Sequence, residues 1–308
     1  MQRHYILSLP NTNFNPFILM RKILLLFSIL FVITSCQKMP LDENESGKDS
    51  GKISVKFNIS QFEQLDFSTT KFSRSTDIAN ICTHICLGVY KDGTRIEQVN
   101  KKSSDDNFNQ LSVSLEPGTY RVVILAHSDS SNPTMTKPEK ITFGKGMTDT
   151  FYWSQDVTVD KNTELDIHMR RAVAMFRLVT TDNIPSEVKS MKFYYTGGSS
   201  TIDGLTGYGN VNSKQTEIID VDSNMSGSTG TFEVYTFPKE GSNTLKIEVS
   251  ALDASGNVII KKTFEDVPIK VNQVTQYKGE FFGGTSTSKK TSFRLSTDDE
   301  WQLNSRTF

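Results

Sequence analysis

Apolar and polar side chains alternate along this chain, and no other pattern in the sequence is as regular. The alternation is strict from residue 53 to residue 59. Because successive side chains of a strand point to opposite faces, a period of two predicts a strand with one buried face. Many short segments of this kind, without long helical periods, predict an all-β fold. Further examples are residues 111–115, 191–195 and 245–249.

Turn-forming residues separate these segments. Residues 92–93 (Asp-Gly) and 255–257 (Ser-Gly-Asn) predict hairpin turns, since Asp, Asn and Gly tolerate positive φ. Residues 116–118 (Glu-Pro-Gly) predict a third hairpin, in which Pro presets one φ angle and Gly accepts the next. Residues 196–228 are rich in Gly, Ser, Thr and Asn, and predict a long surface loop.

Regular turn spacing between short strands favours β-sandwich domains. The turns and apolar segments divide the folded part into two blocks of similar length. We therefore predict tandem β-sandwiches at residues 53–169 and residues 170–284, followed by a C-terminal tail at residues 285–308.

Residues 20–36 read MRKILLLFSILFVITSC and have the features of an export signal. Two basic residues precede an uncharged apolar run at residues 23–33, which is too short to span a bilayer. The segment ends in Ile-Thr-Ser-Cys, which resembles a bacterial lipobox. This resemblance implies cleavage of a signal peptide at residues 20–35 and acylation of Cys36, which would attach the protein to a membrane. The alternative is a short buried helix that ends in an unmodified cysteine.

The segments on either side of this signal are polar. Residues 1–19 precede a complete signal, so we expect Met20 to be the true start; an unusually long n-region is the alternative. Residues 36–52 carry four acidic side chains together with Gly and Pro. Such a composition predicts a disordered tether between the lipid and the folded part.

Composition and motifs give no support for nucleic-acid binding or catalysis. The formal net charge is −1, whereas nucleic-acid-binding proteins are usually basic. The sequence has no G-x-S-x-G, H-E-x-x-H or Gly-rich phosphate loop. His127, Ser128 and Asp129 are neighbours in sequence, but members of a catalytic triad meet through the fold. We therefore predict that this protein is not an enzyme.

Two segments combine residue types that can bind metals. Cys82, His84 and Cys86 alternate in one predicted strand, but a fourth ligand is not evident. The two cysteines would lie roughly 13 Å apart on a strand, too far for a disulfide, so we expect buried thiols. Residues 220–224 (Asp-Val-Asp-Ser-Asn) are similar to the start of a calcium loop, but Met225 stands where the loop needs Gly. We predict neither a metal site nor a cofactor.

Residues 115–126 (LEPGTYRVVILA), 170–195 (RRAVAMFRLVTTDNIPSEVKSMKFYY) and 271–282 (VNQVTQYKGEFF) follow the lipobox in this order. Together with Cys36 they resemble the fimbrial anchor lipoproteins of the Bacteroides group, the partners of fimbrillin shaft proteins. The resemblance implies two transthyretin-like, Greek-key β-sandwiches and a lipid anchor in the outer membrane. It also implies a role in seating a surface fimbria, with fimbrial shaft subunits as partners.

In fibres of this family a strand of one subunit completes the sheet of the next, so the resemblance implies β-strand complementation. Two elements fit this role, because both are terminal, alternate in polarity and adjoin polar segments. For each element the alternative is completion of its own domain's sheet, and for the first element this is the expected arrangement. The two elements are the strand with Ile53, Val55, Phe57 and Ile59, and the tail with Phe293 and Leu295.

Arg74 lies in a Ser- and Thr-rich segment after the first predicted strand. Shaft subunits of the family are trimmed at an Arg in the corresponding segment, whereas anchor-type members generally are not. The resemblance therefore implies that Arg74 is an ordinary loop residue, with processing there as the alternative.

The competing function is that of a surface glycan-binding lipoprotein, which would also carry β-sandwiches on a lipid tether. Such proteins bind sugars with exposed aromatic side chains. The candidates are residues 151–153 (Phe-Tyr-Trp), and Tyr194 and Tyr195 with Tyr208. Aromatic residues at strand positions more often belong to a core or to the sheet surface.

Overall fold

The computed structural model describes residues 51–63, 78–144, 146–241, 244–283, 294–298 and 303–307. In these ranges the chain forms strands and one 3-10 turn at Ile78–Asn80, and no helix there has the length and hydropathy needed to cross a bilayer. The strands of the first half are β1 (Ile53–Phe62), β2 (His84–Lys91), β3 (Thr94–Lys102), β4 (Gln110–Leu115), β5 (Gly118–His127), β6 (Thr134–Lys137), β7 (Lys140–Thr142), β8 (Phe151–Val159) and β9 (Thr163–Arg171). Those of the second half are β10 (Ala174–Thr180), β11 (Ser190–Thr196), β12 (Thr201–Ile202), β13 (Gln215–Asp220), β14 (Thr231–Thr236), β15 (Thr244–Leu252), β16 (Val258–Pro268), β17 (Val274–Gly279), β18 (Arg294–Asp298) and β19 (Leu303–Thr307).

The first sandwich is a sheet that folds back on itself. Its strand order is β3-β2-β5-β8-β9-β1-β4. Strands β8 and β9 pair at only two positions, Phe151 with Arg171 and Tyr152 with Arg170, and the sheet turns its corner there. Side chains from both sides of this corner fill one core, because β1, β4 and β9 contribute to the same apolar cluster as β2 and β5. The all-β sandwich expected from the alternation is confirmed.

Strand β1 lies inside this sheet and pairs on both sides. It runs antiparallel to β4 and parallel to β9. Its inward side chains are buried: Val55 and Phe57 are 0% exposed and Ile59 is 1% exposed. The half-buried strand predicted from the alternation is confirmed, and its register shifts only between Ile59 and Gln61.

The second sandwich consists of two sheets over a shared core. One has the order β14-β10-β17-β18-β19 and the other β13-β11-β15-β16. Aromatic rings meet in the core: the centroids of Phe264 and Tyr277 are 4.8 Å apart, and Phe176 lies 5.7 Å from each. Tilted and edge-to-face pairs at these distances are favourable. Strand β10 is buried or half-buried along its whole length, which accounts for its nearly continuous apolar sequence.

Two strands lie where the sequence predicted a long loop, at residues 196–228. Strand β13 pairs with β11, and β12 pairs with β7. The loop prediction was wrong because polarity alternates poorly along β13: Ile219 is its one apolar inward residue and packs on the core, whereas Ile218 is 59% exposed. Gln215 also faces inward and is buried, and its Oε1 accepts a hydrogen bond from the Thr236 hydroxyl at 2.7 Å.

A small third sheet joins the two sandwiches. In it β12 of the second sandwich pairs with β7 of the first, and β7 pairs with β6. An apolar cluster also draws on both sandwiches, with Tyr90, Met135 and Ile141 from the first and Ile202 and Phe237 from the second. Burial of apolar surface therefore holds the two sandwiches against each other.

Two of the three predicted hairpin turns are confirmed. Asp92 and Gly93 have φ angles of 51° and 73° and connect β2 to β3, and Gly256, with a φ of 80°, lies in the turn from β15 to β16. The third is wrong: β4 pairs with β1, whereas β5 pairs with β2 and β8. Residues 116–118 instead carry the chain from one layer of the sandwich to the other.

Tyr120 fixes this crossing between layers. Its side chain lies in the core, with 2% of the residue exposed, and its hydroxyl donates a hydrogen bond to the carbonyl oxygen of Glu116 at 2.8 Å. A tyrosine that bonds back to the chain a few residues upstream also marks a corner in immunoglobulin-type sandwiches. The bond satisfies a polar group that would otherwise be buried without a partner.

Changing Tyr120 to Phe should lower the free energy of unfolding by about 1–2 kcal/mol, because the Glu116 carbonyl loses its donor while the ring stays buried. Urea unfolding of the soluble chain from residue 37 measures this. The control is Tyr194→Phe, since Tyr194 is 36% exposed and its hydroxyl bonds to no described residue. Equal stabilities for the two variants would show that the hydroxyl of Tyr120 does not stabilise the crossing.

Candidate functional site

The first predicted exchange element, the strand with Ile53, Val55, Phe57 and Ile59, is β1. Both of its edges are paired inside the first sandwich. Its exchange between subunits stays a prediction, and would require β1 to leave two neighbouring strands and a buried core.

The second predicted exchange element is the C-terminal tail. Leu295 lies in β18, which pairs antiparallel with β17, and β19 pairs antiparallel with β18. Phe293 lies outside the described residues. The tail therefore forms a hairpin on one side of β17, whose other side pairs with β10. Backbone hydrogen bonds of this kind are independent of sequence, so a strand of another chain could form them equally well.

Three other predicted features lie outside the described residues. They are the lipidation site Cys36 with its signal peptide and the tether up to residue 50, the expected start at Met20, and Arg74. All three stay predictions.

The two cysteines of the sequence motif are free thiols that pack on different sides of the first sandwich. Cys82 belongs to the core of that sandwich, and Cys86 belongs to the cluster between the sandwiches. Burial raises the pKa of each thiol to about 12, so both are protonated at neutral pH. Within the described ranges, no three His, Cys, Asp or Glu side chains are grouped so that they could hold a metal ion.

His127 is completely buried and stacks against His84, with 5.2 Å between the ring centroids. Its Nδ1 accepts a hydrogen bond from the backbone N–H of Asp129 at 3.2 Å. The Asp129 carboxylate in turn accepts bonds from the Ser130 N–H and the Ser131 hydroxyl. In a catalytic triad, this ring nitrogen would carry a proton and donate it to a carboxylate. Here it accepts from a backbone amide instead.

The calcium-like segment at residues 220–224 contains a side-chain cap on a turn. The Oδ1 of Asp222 accepts hydrogen bonds from the N–H groups of Asn224 and Met225 at 2.8 and 3.0 Å. This arrangement is an Asx-type turn, in which the carboxylate stabilises local backbone structure.

The aromatic residues proposed for sugar binding differ in exposure, and Trp153 is partly buried against the core of the first sandwich. Phe151 and Tyr195 are 0% exposed and belong to the cores. Tyr194 and Tyr208 are 36% and 37% exposed. Tyr152, which is 5% exposed, and Tyr208 line the same open cleft. The structure thus brings together two candidates that are distant in sequence.

This cleft has a volume of about 290 Å³ and lies between the two sandwiches. Its lining is mostly polar. Most of the lining residues leave no signal in the sequence. The pair of arginines at residues 170–171 is the one visible signal, and by itself it predicts only the start of a domain. The lining comprises Glu63, Tyr152, Arg170 and Arg171 from the first sandwich, and residues 206–208 and 270–273 from the second.

Arg171 links the two sides of the cleft. Its Nε and Nη2 donate to the two carboxylate oxygens of Asp149 at 2.7 and 2.8 Å, and its Nη1 donates to the Oδ1 of Asn272 at 2.8 Å. Only 1% of its side chain is exposed. Since Asn272 belongs to the second sandwich, this guanidinium bonds across the junction, and its charge is balanced by Asp149.

The sequence profile of the family described as fimbrillin-A associated anchor proteins Mfa1 and Mfa2 matches residues 65–304. The match covers more than half of the chain, so the protein belongs to this family of fimbrial anchor and accessory proteins. The family consists of structural proteins of fimbriae. A search of curated protein sequences finds no significant match.

Solved structures with a similar fold include three fimbrial proteins. The fimbrial anchor protein Mfa2 from Porphyromonas gingivalis is 10% identical, with 83% of this chain and 100% of that chain covered and a TM-score of 0.46. A fimbrial assembly protein from Parabacteroides distasonis is 13% identical, with 83% and 98% covered and a TM-score of 0.42. The tip fimbrial protein Mfa3 from Porphyromonas gingivalis is 9% identical, with 80% and 99% covered and a TM-score of 0.37.

The pKa of His127 is lowered from 6.5 to about 4. Burial is the main cause, and the neighbouring His84 shifts the pKa in the same direction. The unfolded chain therefore takes up this proton first as the pH falls. The stability associated with neutral His127 is present above pH 6.5 and should be lost progressively between pH 6.5 and 4, at about 1.4 kcal/mol per pH unit.

Urea unfolding from pH 7 to pH 4 measures this dependence. His127→Gln should give a shallower loss of stability than the wild type over that range, whatever its stability at pH 7. The control is His168→Gln, since His168 is exposed on β9. Parallel curves for all three proteins would contradict the account.

Proposed function

We propose that this protein is a lipid-anchored subunit of the outer membrane that seats a surface fimbria. The main support for this proposal is the match of residues 65–304 to the fimbrial anchor family. The lipobox at Cys36 and the acidic tether at residues 36–52 support it. Acylation would hold the chain at the membrane, and the tether would keep the sandwiches clear of the lipid surface.

The proposed contact with the first shaft subunit is the tail hairpin. Strand β18 pairs with β17 through residues 274–278, and β19 presents the outer edge of the hairpin. A shaft subunit could add a strand to β19, or replace the hairpin on β17, and either event is β-strand complementation. Unpaired edges of this kind associate readily unless they are covered.

Changing Cys36 to Ser should abolish labelling with a radioactive fatty acid, because the thiol that receives the acyl chain is gone. The protein should then accumulate as precursor or in the soluble fraction. Cys82→Ser is the control, since Cys82 is a buried thiol of the sandwich core. If the Cys36 variant keeps its label and still fractionates with the outer membrane, lipidation at this residue is wrong.

Deleting the gene should release fimbriae into the medium, and wild-type protein should co-purify with a shaft subunit. Removal of residues 285–308 should weaken co-purification while leaving the protein in the membrane fraction. Ser296→Pro tests the same contact without a deletion, because proline removes a backbone donor from β18. Ile218→Ser, on the edge strand β13 of the other sheet, is the control.

The outcomes separate the parts of this proposal. Fimbriae that stay attached after the gene deletion, with no shaft subunit co-purifying, would overturn the anchoring function. If the gene deletion releases fimbriae but both tail variants keep them fully attached, the contact lies elsewhere on the protein. Glycan binding, the second candidate function, is favoured by Tyr208, which lines the cleft and is 37% exposed.

A further inference from the structure

The cleft between the sandwiches carries an excess of positive charge. Arg170 and Lys270 are exposed and line it, and neither forms an ion pair with any residue that the structure describes. The charge of Arg171 is balanced by Asp149. Glu63 supplies the one carboxylate of the lining and accepts a bond from the Arg171 backbone N–H at 2.9 Å. The described lining therefore favours an anionic ligand.

The loop on the second-sandwich side is held in a defined position. Gly207 has a φ of 83°, and a Cβ there would lie 2.7 Å from Cε1 of Tyr152. The loop backbone therefore packs on that ring, which only glycine permits. Asp203 fixes the preceding turn, since its Oδ1 accepts from the Leu205 N–H and its carbonyl from the Gly207 N–H, each at 2.8 Å.

This packing presents Tyr208 at the cleft. Tyr208 follows Gly207 directly, is 37% exposed, and its hydroxyl bonds to no described residue. Asn272 lies on the same lining, and its Nδ2 donates to no described residue while its Oδ1 accepts from Arg171. The cleft thus combines an accessible aromatic face, an amide donor and two cations on a preformed framework.

We propose that this cleft binds an acidic sugar, namely a residue of a uronic-acid-containing glycan. Arg170 and Lys270 bind the carboxylate, Tyr208 stacks on the sugar ring, and Asn272 donates to a hydroxyl. Aromatic stacking fits a ring with apolar C–H groups, and the polar lining fits its hydroxyl groups. An inorganic anion would use the two cations but not Tyr208.

Isothermal titration calorimetry with trigalacturonate tests the proposal. The matched ligand is the same trisaccharide with its carboxylates methyl-esterified. The acid should bind and the ester should bind at least tenfold more weakly, and added salt should weaken binding of the acid. No binding of the acid, or equal binding of the ester, would overturn the proposal.

Variants locate the binding. Arg170→Gln and Lys270→Gln should each weaken binding of the acid about tenfold, which corresponds to the loss of one charged contact. Tyr208→Ala should weaken it as well, while leaving any binding of inorganic phosphate unchanged. The control is Lys56→Gln, an exposed lysine of β1 that does not line the cleft. Thermal melting curves confirm that each variant folds.

Unchanged affinity in all three cleft variants would overturn the site even if the acid binds elsewhere. Unchanged affinity in Tyr208→Ala alone, with phosphate competing for the site, would overturn the sugar and leave a simple anion site. Neither result bears on fimbrial anchoring, because the cleft residues are separate from Cys36 and from the tail.

Discussion

The buried guanidinium of Arg171 bonds across the junction between the two sandwiches. The guanidinium of Arg171 binds both oxygens of Asp149 and reaches Asn272, with 1% of the arginine side chain exposed. Desolvation offsets much of the attraction in such a pair, so its main effect is to fix geometry. Arg171 lies at the end of β9, directly before the second sandwich begins. Its bond to Asn272, the shared apolar cluster and the pairing of β7 with β12 together hold the two sides of the cleft in place.

The sequence predicted those elements whose burial follows a simple period. Strand β1 was evident from its alternation, and β10 from its nearly continuous apolar run. Strand β13 was missed because two of its three inward residues, Gln215 and Glu217, are polar, and its apolar Ile218 faces outward. The turn at residues 116–118 was misassigned because turn chemistry fixes the local backbone, whereas strand pairing depends on the distant partner β1.

The cleft could not be predicted because it depends on contacts between distant segments. Tyr152 belongs to β8 of the first sandwich, and Tyr208 to the loop after β12 of the second. The pairing of β12 with β7 and the packing of Gly207 on Tyr152 bring them together. Neither β12, with two residues, nor this close approach leaves a periodic signal in the sequence. The predicted lipidation of Cys36, by contrast, rests on a local sequence motif, and predicting it needs no tertiary structure.

The energetics of the two candidate exchange elements differ. Removing β1 would expose Val55, Phe57 and Ile59, whose burial stabilises the fold by roughly 1.5–3 kcal/mol each, and would break hydrogen bonds on both of its edges. Only a donor strand that restored all of these contacts could replace it. Among the described strands, the tail hairpin pairs with the body only through β17, so its displacement breaks one row of backbone bonds that an incoming strand would form again. This difference favours the tail as the element that exchanges, with β1 remaining as part of the sandwich that carries it.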